Sequence, residues 1–292
     1  MKHPTALHRY TAAAISSSGK VIAEYSTSFG LASRFLGKAA RRDIGNIYAL
    51  VRLADEIVDG VAHEAGLDSS TIAAELDRLE EQTETALATG YSTNLVVHAF
   101  SSTARQHGIT TELTRPFFRS MRADLHRQEH TDETLDDYIY GSAEVVGLMC
   151  LAVFRNMPGT DTSNDDMLIT SARRLGAAFQ KVNFLRDLAT DYAALGRSYF
   201  PDVDPAAFEE TRKRELVEDI RTDLAAAKPG IQRLDARARI GVDIAHRLFS
   251  ELTDALDDRP AHELLSRRVR VNNTRKLAIA AQTLSTHLLK KK

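Results

Sequence analysis

The chain has almost no cysteine: Cys150 stands alone among 292 residues. One thiol excludes an intrachain disulfide framework and suits a reducing compartment such as the cytoplasm. Proline and glycine are scarce, at 7 and 15, and several of them punctuate the spaces between periodic segments. No Ser/Gly-rich linker divides the sequence, and no internal repeat is visible. An excess of one charge is also lacking, because 38 Lys and Arg face 40 Asp and Glu for a net charge of -2. Without a broad basic field, nucleic acid is not an expected partner. Uninterrupted apolar runs of about eighteen residues are absent, so no membrane-spanning helix is expected. The opening MKHPTALHRYTAAAISSSGK lacks the apolar core of a secretory signal. Lys290, Lys291 and Lys292 read as a solvated tail that can add weak attraction to an anionic membrane surface. The expectation is a cytoplasmic protein with room for peripheral contact at the inner face of the membrane. Oligomeric state is not legible.

Alternating strand patterns are missing as well. Apolar residues recur at spacings of three and four almost everywhere, which predicts an all-α chain. The pattern gives helices at roughly 6–24, 28–36, 39–62, 70–88, 93–107, 111–126, 134–153, 165–195, 205–227, 236–256 and 261–288. The simplest organisation is one domain over residues 1–292, with 39–62 and 165–195 as central helices.

Two of these helices carry carboxylates where repulsion should discourage them. In LVRLADEIVDG, residues 50–60, Asp55 and Asp59 are four apart and share a helical face, costing a few tenths of a kcal/mol. On a helical wheel, Tyr48, Arg52, Asp55 and Asp59 fall in a sector roughly 60° wide, apart from an arc of Ile47, Leu50, Val51, Leu53, Ala54, Ile57 and Val58. Taken alone, this is a solvated stripe with Arg52–Asp55 and Arg52–Glu56 pairs. FQKVNFLRDLATDY, residues 179–192, repeats the arrangement: Gln180, Asn183, Asp187 and Asp191 span roughly 80°. Asn and Asp oxygens are hard ligands that suit Mg²⁺. Mg²⁺ takes one or two carboxylates and completes its octahedron with water and substrate phosphate. Two facing stripes of this kind would hold Mg²⁺ over a diphosphate, and the metal would cancel the repulsion.

With both stripes in view, the chain resembles the squalene/phytoene synthase family, the head-to-head trans-prenyltransferases. The family's D-x-x-x-D is matched by DEIVD at Asp55–Asp59, and its N-x-x-x-D-x-x-x-D by NFLRDLATD at Asn183–Asp191. YSTSFGLASRFL, IYALVRLADEIVDG, YIYGSAEVVGLM, GRSYFP and RVRVNNTRKL resemble further family segments, in family order from about residue 25 to 276. Bacterial phytoene synthases are the most similar in wording.

The resemblance implies a single-domain isoprenoid-synthase-type helical bundle around a central cavity. It implies Mg²⁺-dependent (or Mn²⁺-dependent) condensation of two prenyl diphosphates through a cyclopropyl diphosphate. Asp55, Asp59, Asn183, Asp187 and Asp191 would bind the metal–diphosphate. Ser26, Ser28, Arg52, Gln180 and Arg268 would contact diphosphate, Tyr48 and Tyr138 would line the reaction centre, and Tyr199 would close over it. The expected substrate is geranylgeranyl diphosphate and the product phytoene, formed in carotenoid biosynthesis with no NADPH. Squalene or dehydrosqualene formation from farnesyl diphosphate is the alternative. Two departures bear on product or chain length: Glu144 stands where the family often has a small residue, and Phe249 where some members have tyrosine.

Each motif has a plainer reading. Ser26 and Ser28 could cap a helix, Tyr48 and Tyr138 could be core aromatics with a satisfied hydroxyl, and GSAEVVG could serve close helix packing. HRQEH, residues 126–130, matches the H-x-x-E-H of some zinc proteases, but no third ligand follows and a solvated helix end is expected. A non-catalytic helical scaffold would be expected to have lost the acidic motifs, which both stand. Head-to-tail elongases and terpene cyclases carry D-D-x-x-D, which Asp55–Glu56 does not supply.

Overall fold

The computed structural model describes residues 5–126, 129–195, 199–201, 203 and 208–289, with the side chains of 191–195 outside that description. Among these residues every regular element is a helix. Short capping signals delimit them. Thr5 caps α1 (Ala6–Tyr25), Asp68 caps α5 (Ser69–Thr89), Asn94 caps α6 (Leu95–His107) and Thr110 caps α7 (Thr111–Asp124), each accepting a first-turn N–H. Gly90 and Gly108 end α5 and α6 in the left-handed conformation that a Cβ would oppose.

Between them, α2 (Ser28–Ser33), α3 (Lys38–Val58) and α4 (Val61–Glu64) form the wall that carries the first stripe. The expected helix 39–62 stops at Val58, because Gly60 takes φ +129 and turns the chain. Asp59 therefore sits at the C-cap of α3, its N–H bonded to the Asp55 carbonyl at 2.8 Å. The buried Asp43 anchors the other end of α3. It accepts from Arg42 at 2.8 Å, from Thr103 at 3.3 Å and lies 3.1 Å from His107 on α6.

The expected helix 134–153 is continuous but not regular. It comprises α8 (Asp132–Ile139), a π turn at Tyr140–Glu144 and α9 (Val145–Arg155). A Cβ at Gly141 would collide with the Pro116 carbonyl and Ser120 of α7, so only glycine allows this approach. Gly147 meets α10 (Asp165–Leu195) equally closely, a Cβ there lying 2.5 Å from the Ala172 carbonyl oxygen. The close-packing reading of GSAEVVG is thus correct for both glycines. Asp132–Arg155 is also the one described stretch long and apolar enough to cross a membrane, and 56% of its apolar window is buried inside the fold. Glu144 interrupts it, which is why a search for uninterrupted apolar runs passes over it.

The α10 helix carries the second stripe and lies along α11 (Glu210–Arg233). Lys181 bridges to Asp219 at 2.6 Å and Asp223 at 2.7 Å, and Arg174 reaches Asp223 at 3.0 Å. Pro229 was expected to lie beyond the end of the 205–227 helix, yet α11 runs through it. The Ser171 hydroxyl of α10 accepts from the Gly230 N–H at 3.0 Å and donates to the Ala226 carbonyl at 3.2 Å, bridging the interrupted ladder. The last expected helix, 261–288, is two: α13 (Ala261–Leu264) and α14 (Asn273–Leu289), with α12 (Ala236–Asp257) preceding them. Asn272 explains the restart, since its side chain accepts from the Arg275 N–H at 2.8 Å. The basic run between them is therefore extended chain, free of a helix's fixed spacing.

Gly176 on α10 tests this packing. A Cβ there would lie 2.5 Å from the Ala143 carbonyl oxygen, and backbone cannot yield as a side chain tip can. Gly176→Ala should destabilise the fold by about 1–3 kcal/mol, seen as a lower melting temperature. An unchanged melting curve would mean that the π turn does not approach α10 as described.

Candidate active site

A cavity of about 1190 Å³ opens between α2, α3, α10, α12 and the 265–272 run. That exceeds the ~300–1,000 Å³ common for small-molecule pockets. Its depth is apolar, lined by Val146, Cys150, Phe154, Leu175, Ala245 and Leu248 among others. Its mouth brings together Ser26, Ser28, Tyr48, Arg52, Asp55, Asp59, Tyr138, Gln180, Asn183, Asp187, Tyr199 and Arg268. Of the residues expected from sequence, Asp191 falls in the last turns of α10 with its side chain outside the described residues.

The first wall is strongly acidic. The Asp55 carboxyl is pushed up to about 8, first by burial and then by Asp59 and Asp124, against the pull of Arg52. The guanidinium of Arg52 pairs with Glu56 rather than Asp55 and lies 4.5 Å over the Tyr25 ring. Both aspartates also occupy the negative end of the α3 dipole. Every donor here is a hard oxygen, so the arrangement fits a divalent cation. Among the described residues no three or more His, Cys, Asp or Glu side chains gather into a ready metal cage. One or two carboxylates per helix leave coordination positions for diphosphate and water, as Mg²⁺ prefers.

Asp124, on α7, is a residue that sequence reading missed. It is 8% exposed and accepts a 2.7 Å hydrogen bond from the Tyr138 hydroxyl. The signal was present: Phe117, Met121 and Asp124 share one buried face at steps of four and three, so a carboxylate sat where an apolar residue belonged. Burial and Asp124 together hold the Tyr138 phenol well above its usual range.

Aromatic rings close around Tyr138. Tyr199 stacks on Phe184 at 4.0 Å between centroids, and Tyr138 lies 5.5 Å from Tyr199. His130 completes the group, 5.0 Å from the Tyr138 ring and 5.8 Å from Tyr199. His130 was expected at a solvated helix end and is instead buried, beyond the end of α7 at Asp124; Arg127 and Gln128 of the same motif lie outside the described residues. His126 stays exposed just past that end, so the two histidines share no helical face and the zinc reading fails on geometry. Tyr48 stacks on Phe29 at 5.7 Å, and burial raises its phenol despite Arg52 and a hydrogen bond to Ser26. Ser26 also accepts from the Gly30 N–H at 3.2 Å, while Ser28 is the first residue of α2.

The second wall is basic beneath its carboxylate. Arg186, placed off the ligand stripe by the helical wheel, curls back onto Asp187 and lines the cavity. Arg268, its side chain exposed, meets the same carboxylate at 2.7 Å and lines the cavity. Lys276, also unassigned by sequence, donates to Thr27 at 2.9 Å. Its ammonium is held below its usual range first by burial, then by Arg186 and Arg270, so positive potential accumulates on this side. Of the two departures, Glu144 pairs with Arg173 at 2.5 Å and does not line the cavity. Phe249 does line it, stacked on Phe179 at 3.8 Å.

The Asp55 carboxyl gives a pH test. Its folded value of about 8 exceeds the ordinary aspartate value of 3.8, so the folded chain holds a proton that the unfolded chain releases. The stabilisation from that proton is complete below about 4 and is lost as pH rises through about 8. In EDTA, Asp55→Asn should melt above the wild type at pH 8, with the margin shrinking towards pH 4. A variant melting at or below wild type at pH 8 would contradict the assignment.

Comparison with known proteins gives this geometry a family. The family model described as squalene/phytoene synthase matches residues 22–275. The phytoene synthase of Arthrospira platensis is 31% identical over 281 residues, covering 88% of each chain. The 4,4'-diapophytoene synthase of Staphylococcus haemolyticus is 29% identical over 205 residues, covering 70% of this chain and 68% of its own. Among solved structures, a dehydrosqualene synthase in complex with ligand superimposes with a TM-score of 0.79 at 22% identity, covering 97% of this chain and 99% of that one. A squalene synthase from Alicyclobacillus acidocaldarius gives 0.72 at 20% identity, covering 84% and 94%. The isoprenoid-synthase helical fold, the ordered motifs and the match over most of the chain agree: the protein belongs to the squalene/phytoene synthase family, whose members condense prenyl diphosphates head to head.

Proposed function

We propose that this chain, acting as one domain over residues 1–292 in the cytoplasm, joins two geranylgeranyl diphosphates into phytoene. The observation that carries the reading is the cavity itself: an acidic and a basic wall at the mouth, and an apolar interior of about 1190 Å³ behind them. Phytoene synthases among the relatives support the chain length.

Asp55 and Asp59 on one side, and Asn183, Asp187 and Asp191 on the other, would hold Mg²⁺, with Mn²⁺ able to replace it. A cation held there would supply charge neutralisation to the departing diphosphate, easing ionisation of the allylic C–O bond. Arg52, Arg268, Gln180, Ser26 and Ser28 orient the diphosphates by charge and hydrogen bonding. The rings of Tyr48, Tyr138, Tyr199 and Phe184 face the carbocations with their π surfaces and keep water away. One substrate's double bond attacks the first cation, leaving the charge on that substrate's tertiary carbon; a C–H bond on the ionised carbon then breaks, its electron pair closes the cyclopropane, and the proton passes to the released diphosphate. A second ionisation and rearrangement then give the final cation. Its C–H bond breaks to form the alkene, the proton passes to the Tyr138 oxygen, and the phenolic proton moves to Asp124, with which it is already hydrogen-bonded. Proton loss completes the reaction, so no hydride donor is called for. A shorter farnesyl substrate is the second reading, favoured by the Phe179–Phe249 stack that narrows the cavity.

Purified protein with geranylgeranyl diphosphate and Mg²⁺ should yield a hydrocarbon of phytoene mass without NADPH. Asp55→Ala and Asp187→Ala should each cost at least ~10²–10³-fold in rate with unchanged circular dichroism, and EDTA should abolish turnover. Squalene appearing only with NADPH, or turnover only with farnesyl diphosphate, would overturn the phytoene assignment. Full activity in EDTA would overturn the metal.

A further inference from the structure

Asp187 is clasped by two arginines. A carboxylate offers about four in-plane lone-pair positions, and the two guanidiniums crowd them with three hydrogen bonds and one further close ion-pair contact. Arg186 reaches Oδ1 from Nε at 2.9 Å and Oδ2 from Nη2. Arg268 reaches Oδ1 from Nε at 2.7 Å and Oδ2 from Nη2 at 3.1 Å. Each oxygen is thus held twice, once by each arginine. A divalent cation and these guanidiniums compete for the same lone pairs, so one guanidinium must leave before Asp187 can ligate.

The two arginines differ in their freedom to leave. Arg186 is the sequence neighbour of Asp187 on α10 and its side chain is 21% exposed. Arg268 belongs to the extended run between α13 and α14, where the buried Val269 pins the backbone while the Arg268 side chain is 43% exposed. Its guanidinium is therefore the one of the two that solvent and an arriving ligand reach more readily. It already lines the cavity with Arg270 and Lys276, where the lowered ammonium of Lys276 marks positive charge in surplus. An arriving diphosphate supplies oxygens that match the arginine fork as well as the carboxylate does.

We propose that Arg268 is the exchange residue that couples the two ligands: it covers Asp187 until diphosphate takes its guanidinium, and only then is Asp187 open to the cation. This rests on the metal–diphosphate reading above and adds an order to it, in which the cation binds tightly at Asp187 with diphosphate and not before it. Linkage makes the effect reciprocal, so Mn²⁺ should raise pyrophosphate affinity by the same factor as pyrophosphate raises that of Mn²⁺.

The test is Mn²⁺ binding to the full chain, followed by the electron paramagnetic resonance signal of free Mn²⁺, with and without inorganic pyrophosphate. Protein-free titrations correct for the Mn²⁺–pyrophosphate complex. Wild type should bind Mn²⁺ weakly alone and about tenfold more tightly with pyrophosphate. Arg268→Gln should bind Mn²⁺ alone at least fivefold more tightly than wild type, with a smaller gain from pyrophosphate. Arg270→Gln removes a neighbouring charge at the same mouth and controls for the general field; it should shift Mn²⁺ affinity by less than twofold. Equal shifts in the two variants, or none in Arg268→Gln, would overturn the exchange while leaving the metal site standing. No Mn²⁺ bound by wild type even with pyrophosphate would instead overturn the metal–diphosphate reading, and the exchange with it.

Discussion

The structure depends on carboxylates that the fold crowds together at one end of α3. Asp55 and Asp59 stand at the carbonyl end of α3, with Asp124 close enough to raise the Asp55 carboxyl still further. Helix dipole, burial and mutual repulsion all act against ionisation there. Such an arrangement is costly for stability alone, and it persists because packing fixes α3 from outside the site. The buried Asp43 network holds one end, and the turn at Gly60 defines the other.

The opposite wall answers with the reverse arrangement. The carboxylate of Asp187 is clasped by Arg186 and Arg268, and beyond it Arg270 and Lys276 keep the cavity mouth positive. A diphosphate between the walls meets cations on one side directly and, through metal, carboxylates on the other. The apolar interior and the Tyr138–Tyr199–Phe184 cluster then provide what cationic intermediates need, a π surface and exclusion of water.

Much of this was legible in the sequence, and the reasons are specific. Helical periodicity gave the all-α class and the two central helices, since α3 and α10 each bury one apolar face. Spacing of three and four brought both stripes to the cavity, because side chains one helical turn apart share a face. Features outside that rule were not visible. Asp124 is contributed by a third helix and was recognisable only as a carboxylate on a buried face. His130 sits beyond a helix end, where no periodicity applies. Arg186 lies off its stripe at the backbone, and only its long side chain returns it to Asp187. The break between α13 and α14 falls where Val269 and Val271 alternate with arginines and five polar residues follow, a signal that the single helix 261–288 passed over. Ser171's hydroxyl bridge is likewise a tertiary contact, and without it Pro229 reads as a stop.

The central claim is that two opposed walls hold a diphosphate through divalent metal at the mouth of an apolar cavity. Anomalous diffraction from crystals grown with Mn²⁺ and inorganic pyrophosphate tests it most directly. The account predicts manganese peaks bound by Asp55 and Asp59 on one side and by Asn183 and Asp187 on the other, with pyrophosphate between them against Arg268. Manganese or pyrophosphate bound elsewhere, with Asp187 still clasped by both arginines, would contradict it.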